Sequence, residues 1–221
     1  CFGFGQVAKN FIKKINSEDK KINLTVTSRE KSDKKSFDDL DYKSLKFSEN
    51  SFDQKINENL KSSSHILVSI APVNGEDIVI KNFKNIFDNK NIKWITYLSA
   101  TSVYGNHNGE WVDENSDTKP TSPNGIDRLN AEKSWLNFAE KKNLPLQVLR
   151  LSGIYSNQNN ILARLKTGNT KIIDKKNQFF SRIHVEDIAN VLFKSLQNFK
   201  SKEIYNISDD KPTSSEELIL H

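Results

Sequence analysis

The hexapeptide Gly3-Phe4-Gly5-Gln6-Val7-Ala8 at the head of the chain restricts the fold more than any other segment. It fits the pattern G-x-G-x-x-A. There the first glycine permits a tight turn from strand to helix, the second lets backbone approach a pyrophosphate, and the small third residue lets helix pack on strand. The helix that follows would offer free N–H groups and the positive end of its dipole to phosphates. Two glycines in a turn mean little in isolation, and the surroundings give them weight. Cys1-Phe2 reads as the last piece of a first strand, and Val7, Phe11, Ile12 and Ile15 recur at helical spacing directly after the glycines.

The rest of the chain repeats strand, then helix. Ile22 to Thr27 alternates like a strand, and residues 30–62 are polar and lysine-rich, with a short strand predicted near Leu45-Phe47 and a helix around Phe52-Leu60. His65 to Ala71 is a near-continuous apolar run of the kind buried on both faces of a parallel sheet. Ile78, Val79, Asn82, Phe83, Ile86 and Phe87 mark an amphipathic helix, Lys93 to Ser99 a strand, about Ile126 to Lys142 a helix ending before Pro145, and Leu146 to Leu151 another strand. Shorter elements follow: a helix near Ile161-Lys166, a strand near Ile183, a helix from Val185 to Leu196 and a strand at Ile204-Ile207. This order implies parallel βαβ crossovers and a Rossmann-type, doubly wound α/β sheet. Residues 1–155 are expected to form the dinucleotide-binding domain, and 156–221 a smaller substrate lobe that partly returns to the sheet. The chain opens on Cys1, has no methionine and stops at His221 in a helix-like segment, so it reads as a fragment lacking most of the first strand and the C-terminal end.

Composition narrows the partners. A formal charge of +5 would suit nucleic acid, but the lysines are scattered through Lys/Asn/Ile-rich sequence rather than gathered on one stripe. Nucleic-acid binding is therefore not expected. No apolar run is long enough to cross a bilayer, and no charged-then-apolar leader is present, so no membrane partner is expected either. Cys1 is the only cysteine, which excludes an internal disulfide and suits a reducing cytoplasm. Arginine is restricted to Arg29, Arg128, Arg150, Arg164 and Arg182. Where most positive positions are lysine, a retained arginine hints at a need for a planar, bidentate fork.

The second strand ends in Thr27-Ser28-Arg29, where an NAD-preferring fold would place Asp or Glu against the ribose 2′-hydroxyl. Small hydroxyl residues and an arginine suit the 2′-phosphate of NADP, although a register slip of one or two residues would bring Glu30 to the ribose instead.

Downstream, LSATSVYG (Leu98–Gly105), a Pro-x-Ser region, Ala131-Glu132 on a helix, VLRLSGIYS (Val148–Ser156), SRIHVEDIA (Ser181–Ala189) and YNISDDKP (Tyr205–Pro212) follow in order. Together they resemble the extended and atypical short-chain dehydrogenase/reductases, the epimerase/dehydratase-like branch, across nearly the whole chain. The resemblance implies an NAD(P)-binding oxidoreductase or epimerase acting on a sugar nucleotide or another small anionic metabolite. It also implies dimerisation through helices flanking the sheet. Catalytic members carry a Ser or Thr three residues before the valine of VYG, and a Tyr-x-x-x-Lys on the next helix. By that register Ala100 takes the hydroxyl position, flanked by Ser99 and Thr101, while Asn124 replaces the tyrosine and Arg128 the lysine. Arg128 keeps a positive charge for the ribose, but Asn124 cannot exchange a proton as a phenol does. A literal Tyr-x-x-x-Lys at Tyr42 and Lys46 lies before the expected strand, away from that helix, and reads as coincidence.

The cofactor-binding candidates are thus Gly3, Phe4, Gly5, Gln6, Val7, Ser28, Arg29, Ser69, Ala71, Ser99, Arg128 and Ser152. Thr101, Tyr104, Arg150, Tyr155 and Arg182 are the substrate candidates, because ligands of open α/β sheets collect outside the carboxyl ends of the strands. For Arg150 and Arg182 the alternatives are a shared anionic ligand or structural salt bridges to Glu186, Asp187 or nearby acids. Asn124 and Arg128 stand at the catalytic positions, with Tyr104, Tyr155 and His184 as other groups able to move a proton. Each of these has a structural alternative as well: a packing tyrosine, a hydrogen-bonded histidine. Asp113 and Glu114 read either as a solvated acidic turn or as part of the cleft border. No metal-ligand set is read. The replaced triad leaves a second function open, that of a catalytically silent NADP-binding sensor or regulator.

Overall fold

The structure, a computed structural model, describes residues 1–87, 90–166, 178–214 and 216–217. The helix-like reading at His221 and the side chain of Arg164 lie outside the described residues.

Apolar residues at helical spacing form α1 (Gln6–Ser17), which buries Val7, Ala8, Phe11, Ile12 and Ile15 on one face. The strand after it is β1 (Leu24–Ser28), and β3 (Leu40–Lys46) runs parallel to it, Leu24 opposite Tyr42. β2 (Asp33–Phe37) precedes β3 in the chain and flanks its other edge, antiparallel to it and joined to it through Asp38-Asp39, both at positive φ. The polar stretch after Arg29 therefore carries a hairpin that its sequence pattern does not announce. After α2 (Lys55–Ser62) come β4 (His65–Val68), α3 (Ile78–Phe83) and β5 (Trp94–Ala100). Then follow α4 (Pro123–Lys142), β6 (Leu146–Leu151), β7 (Gly153–Tyr155), α5 (Ile161–Lys166), β8 (Arg182–His184), α6 (Val185–Gln197) and β9 (Ile204–Ile207).

The strands order as β1-β3-β2 and β4-β5-β6-β9, with β7 and β8 pairing separately. Cys1-Phe2 joins the first two groups. The Phe2 N–H donates to Leu67 O at 2.8 Å and the Ser69 N–H to Phe2 O at 2.9 Å, while the Thr27 N–H donates to Cys1 O at 3.0 Å. With that stub as its centre, the sheet is parallel throughout except for β2, and its order reverses at the stub. This is the Rossmann arrangement, whose ligands bind at the switch point. One core packs α2, α3 and α4 on one face around Phe83, Tyr97 and Trp135; the other packs α1 and α6 on the opposite face around Trp94, Leu149 and Ile188.

At the end of the stub remote from the glycine turn, a cavity of about 1290 Å³ lies between the amino-terminal halves of β1 and β4, lined by Cys1, Leu24, Thr25, His65, Leu67 and Trp94 among others. No helix among the described residues is long and apolar enough to cross a membrane.

Candidate functional site

The glycine turn is held by both neighbouring strands. Gly3 has φ +87°, and a Cβ there would lie 2.8 Å from Ser69 Oγ and 2.8 Å from Ile70 Cγ2. Its N–H donates to Thr27 Oγ1 at 3.0 Å, and the Ser69 hydroxyl donates to Phe2 O at 3.0 Å. Gly5 differs. It is the N-cap of α1 at φ −80°, no side chain caps the helix there, and no acidic residue stands in the first turn. A Cβ on Gly5 would meet nothing within 4 Å. The uncapped first-turn N–H groups thus adjoin open space on the side where Gly5 has no side chain, which suits an anion approached by backbone. Gln6 is exposed, Val7 is buried in the core, and the Phe4 ring leans on Phe37 and Tyr42 with centroids 5.5 and 5.0 Å away.

At the tip of β1, Ser28 Oγ lies 3.2 Å from Ser44 Oγ, and Arg29 is exposed just beyond the strand. Glu30 is taken by Lys35 of β2, Nζ to Oε2 2.6 Å, and that hydrogen bond and charge hold its carboxyl below the usual range. The carboxylate that could have competed for a ribose is therefore turned to the hairpin. Ala71 is exposed in the loop after β4.

The carboxyl ends of β5 and β6 carry the altered positions. Ala100 and Thr101 are half-buried; Ser99 and Ser152 are buried, and neither hydroxyl has a hydrogen-bond partner among the described residues. Asn124 stands exposed in the first turn of α4, next to Gly125, where a Cβ would lie 2.7 Å from Ser102 O. That close approach lays the start of α4 against the segment after β5. Arg128 is half-buried and its Nη1 donates to Leu98 O at 2.8 Å. Beneath it Tyr97 stacks on Trp135, centroids 6.0 Å apart. Asp77 accepts from Val79 N and Ile80 N at 2.9 Å each as the N-cap of α3. Burial pushes the Asp77 carboxyl up, opposed by the Ile80 N–H, the Trp135 indole, the Val79 N–H and the charge of Arg128.

Arg150 and Tyr104 lie in a buried network. Arg150 forms an ion pair with Glu132 of α4, with Nε donating to both carboxylate oxygens at 3.2 Å. Its Nη1 donates to the Tyr104 hydroxyl at 2.8 Å, which in turn donates to Asn206 Oδ1 at 2.7 Å. Glu114 joins the same network, its Oε1 accepting from the Asn206 N–H at 2.6 Å. Glu114 thus ties its loop to β9, whereas Asp113 is exposed and braces a turn through Ser116. Arg182 is separate, donating to Phe180 O at 3.1 Å and Thr213 Oγ1 at 2.5 Å. The two arginines read from sequence as a converging pair each spend donors inside the protein, and Arg150 pairs with Glu132 rather than with Glu186 or Asp187. On the β7–β8 ladder Tyr155 stands opposite His184, ring centroids 5.0 Å apart, and His184 Nδ1 lies 3.9 Å from Glu186 Oε2. Burial raises the Tyr155 phenol, with the charge and hydrogen bond of Asp209 adding to it.

The structure therefore brings together the glycine turn, Ser69 and the tip of β1, and places Arg128 and Ser99 on the end of β5. It keeps Tyr104 and Arg150 in the interior, and groups Tyr155, His184 and Arg182 on the small β7–β8 sheet. Tyr42 and Lys46 both lie on strand β3, where residues four apart are separated by about 13 Å rather than one helical turn. Thr27, Glu132 and Asn206 entered the sequence reading only as members of motifs, with no partner assigned to them. Asp77 did not enter it, although an acidic residue directly before an apolar helical run is an N-cap signal. No group of three or more His, Cys, Asp or Glu among the described residues is arranged to hold a metal ion.

Residues 3–208 match the family described as the NAD dependent epimerase/dehydratase family. Among solved structures, a functionally unknown conserved protein from Silicibacter pomeroyi DSS is 31% identical, with a TM-score of 0.81 over 98% of this chain and 73% of that one. UDP-N-acetylglucosamine 4-epimerase from Bacillus cereus shares the fold at 17% identity and a TM-score of 0.72, over 98% of this chain and 78% of its own. UDP-glucuronic acid 4-epimerase from Bacillus cereus, solved in complex with NAD, does so at 14% and 0.75, over 98% and 78%. No curated protein matches the chain.

Proposed function

The chain belongs to the NAD dependent epimerase/dehydratase family, and from that premise we propose that it binds NADP and acts on a sugar nucleotide or another small anionic metabolite through a non-standard site. The observation that carries the cofactor is the open cradle at Gly5 beside the uncapped start of α1. The first-turn N–H groups of Gln6 and Val7 would take the pyrophosphate. Ser28 and Arg29 would take a 2′-phosphate, Glu30 being already paired with Lys35. Ser69 and Ala71 border the turn, while Ser99, Ser152 and Arg128 lie where the nicotinamide ribose would reach. The unpartnered hydroxyls of Ser99 and Ser152 fit a ligand that completes their hydrogen bonds. A bound nicotinamide supplies hydride transfer. The protein has to orient the substrate and move the proton that accompanies the hydride.

Arg128 can hold the ribose, and as a fixed cation it can lower the pKa of a nearby hydroxyl, but neither it nor Asn124 can exchange a proton near neutral pH. The proton carriers open to the cleft side are then Tyr155 and His184 on the β7–β8 sheet, which with Arg182 and Thr101 would bound the substrate. A second reading is favoured by the Tyr104 network: with its phenol bonded to Asn206 and Arg150, the tyrosine that follows β5 is structurally committed. On that reading the protein binds NADP and reports its level to a partner without turnover.

Titration of NADPH and NADH by fluorescence, followed by turnover assays on carbonyl and sugar-nucleotide panels, separates the two. NADPH binding with turnover that falls in His184→Ala or Tyr155→Phe supports the enzyme. Tight NADPH binding with no turnover, in wild type and in an Asn124→Tyr/Arg128→Lys double variant alike, leaves the sensor. Arg29→Ala is expected to cut the preference for NADPH over NADH by about tenfold or more; an unchanged ratio rules out NADP selectivity by this residue.

A further inference from the structure

The literal Tyr-x-x-x-Lys of this chain, Tyr42 and Lys46, lies on β3, where it cannot act as a helical pair. A strand nevertheless sets residues four apart on one face. Burial shows which face this is. Leu24 and Val26 of β1 belong to the core beneath α1, and Tyr42 packs against that core with its ring centroid 5.0 Å from that of Phe4 in the glycine turn. Alternation carries the same row on to Ser28 in β1 and to Ser44 and Lys46 in β3. The register agrees: Ser28 stands opposite Lys46 in the parallel ladder, and Ser28 Oγ lies 3.2 Å from Ser44 Oγ. Lys46 thus ends its strand on the α1 side of the sheet, one strand spacing of about 4.8 Å from Ser28.

The backbone of Lys46 is fixed on both sides. Its N–H donates to Ser32 Oγ at 2.9 Å, and its carbonyl accepts from the Asp53 N–H at 2.9 Å. Its side chain is exposed and its ammonium makes no ion pair among the described residues. The nearby carboxylates are engaged elsewhere. Glu30 pairs with Lys35, and Asp53 accepts from the Ser32 hydroxyl at 2.7 Å and from the Lys55 N–H at 2.9 Å. The connection from β1 to β3 runs through β2, beyond β3 in the plane of the sheet, so no crossover helix covers Lys46 on the α1 side. A Rossmann domain reads the adenosine ribose at the end of the strand that follows its first helix, and here that end is Ser28. Arg29 comes next, already past the strand.

We propose that Lys46 is a second specificity-determining residue for NADP: its ammonium meets the 2′-phosphate from β3, while Arg29 meets it from beyond β1, with the Ser28 hydroxyl between them. The proposal rests on the NADP reading above and adds to it a residue from a different strand. Two cations of different shape then share one phosphate, the lysine as a point charge and the arginine as a fork. Neither has a reason to favour a dinucleotide that carries only a ribose hydroxyl at that place.

The test is fluorescence titration of NADPH and NADH with the wild type, Lys46→Met and Lys46→Arg. Lys46→Met keeps the stem and removes the charge, and is expected to weaken NADPH about fivefold while leaving NADH within about twofold. NADH shares every other group of the ligand, so its binding also checks that the variant is folded. Lys46→Arg keeps the charge and is expected to hold NADPH within about twofold of wild type. Added salt should weaken NADPH binding less in Lys46→Met than in wild type, because one charge has left the contact. Unchanged NADPH affinity in Lys46→Met, or equal losses for the two dinucleotides, overturns the role of Lys46 and leaves the NADP reading to Arg29. A wild type that binds NADH as tightly as NADPH overturns the NADP reading itself, and this role with it.

Discussion

Gly3 sits at φ +87° with Ser69 and Ile70 filling the place of a side chain, whereas Gly5 has ordinary helical-cap geometry and empty space where its Cβ would be. The same residue type thus answers two separate demands, one made by the fold and one by whatever approaches the helix. Gly3→Ala is expected to cost about 2 kcal/mol or more, read as a lower urea midpoint at constant slope, because the left-handed conformation and the close contacts both penalise it. Gly5→Ala should change stability by less than about 0.5 kcal/mol, since its φ suits any residue, yet it should weaken NADPH binding by closing the cradle. Equal stability losses in the two variants would remove the distinction.

On the scale of elements, the pairing of α4 with β6 rests on a buried charge. Removing one partner strands the other, so Glu132→Leu or Arg150→Met alone is expected to cost about 3–5 kcal/mol, while the double variant should recover most of that loss. Urea denaturation of the three proteins measures it, and additive losses would show that the two residues do not act as a pair. The β2–β3 hairpin offers the opposite case. Phe37 pairs with Leu40 across a two-residue turn, and Asp38 and Asp39 hold φ of 53° and 61°. This is the geometry of a turn that prefers Asn-Gly, so two aspartates strain it. Asp39→Gly should raise stability by about 1 kcal/mol, with Asp38 left in place because its side-chain Oδ2 accepts from Asn16 Nδ2 at 3.3 Å.

For the whole molecule, the critical place is the centre of the sheet, where two residues join seven strands. Phe2 is buried there, its N–H donates to Leu67 O at 2.8 Å, and its ring meets those of Phe47 and Phe83 with centroids 5.6 Å away in each case. Phe2→Ala should cost about 3–5 kcal/mol, read as a lower urea midpoint. A loss under about 1 kcal/mol would show that the ring does not tie the two halves of the sheet together.

The repeating apolar periods and the glycine turn were enough, as sequence, to specify a doubly wound sheet, because strands of period two and helices of period 3.6 are local properties. Leu146–Leu151 and Ile204–Ile207 form as the pattern predicts, and the family could be named from motif order. The β2 hairpin was hidden because its turn residues are aspartates and its strand is lysine-rich, without the alternation that announces a buried face. Side-chain partnership was decided in three dimensions. Arg150 meets Glu132 across 18 positions of sequence, and the Tyr104 hydroxyl meets Asn206 across 102. Neither is legible in a period, since what a buried charge pairs with depends on how close one helix crosses the sheet beside another, and that distance is set by packing rather than by any one segment.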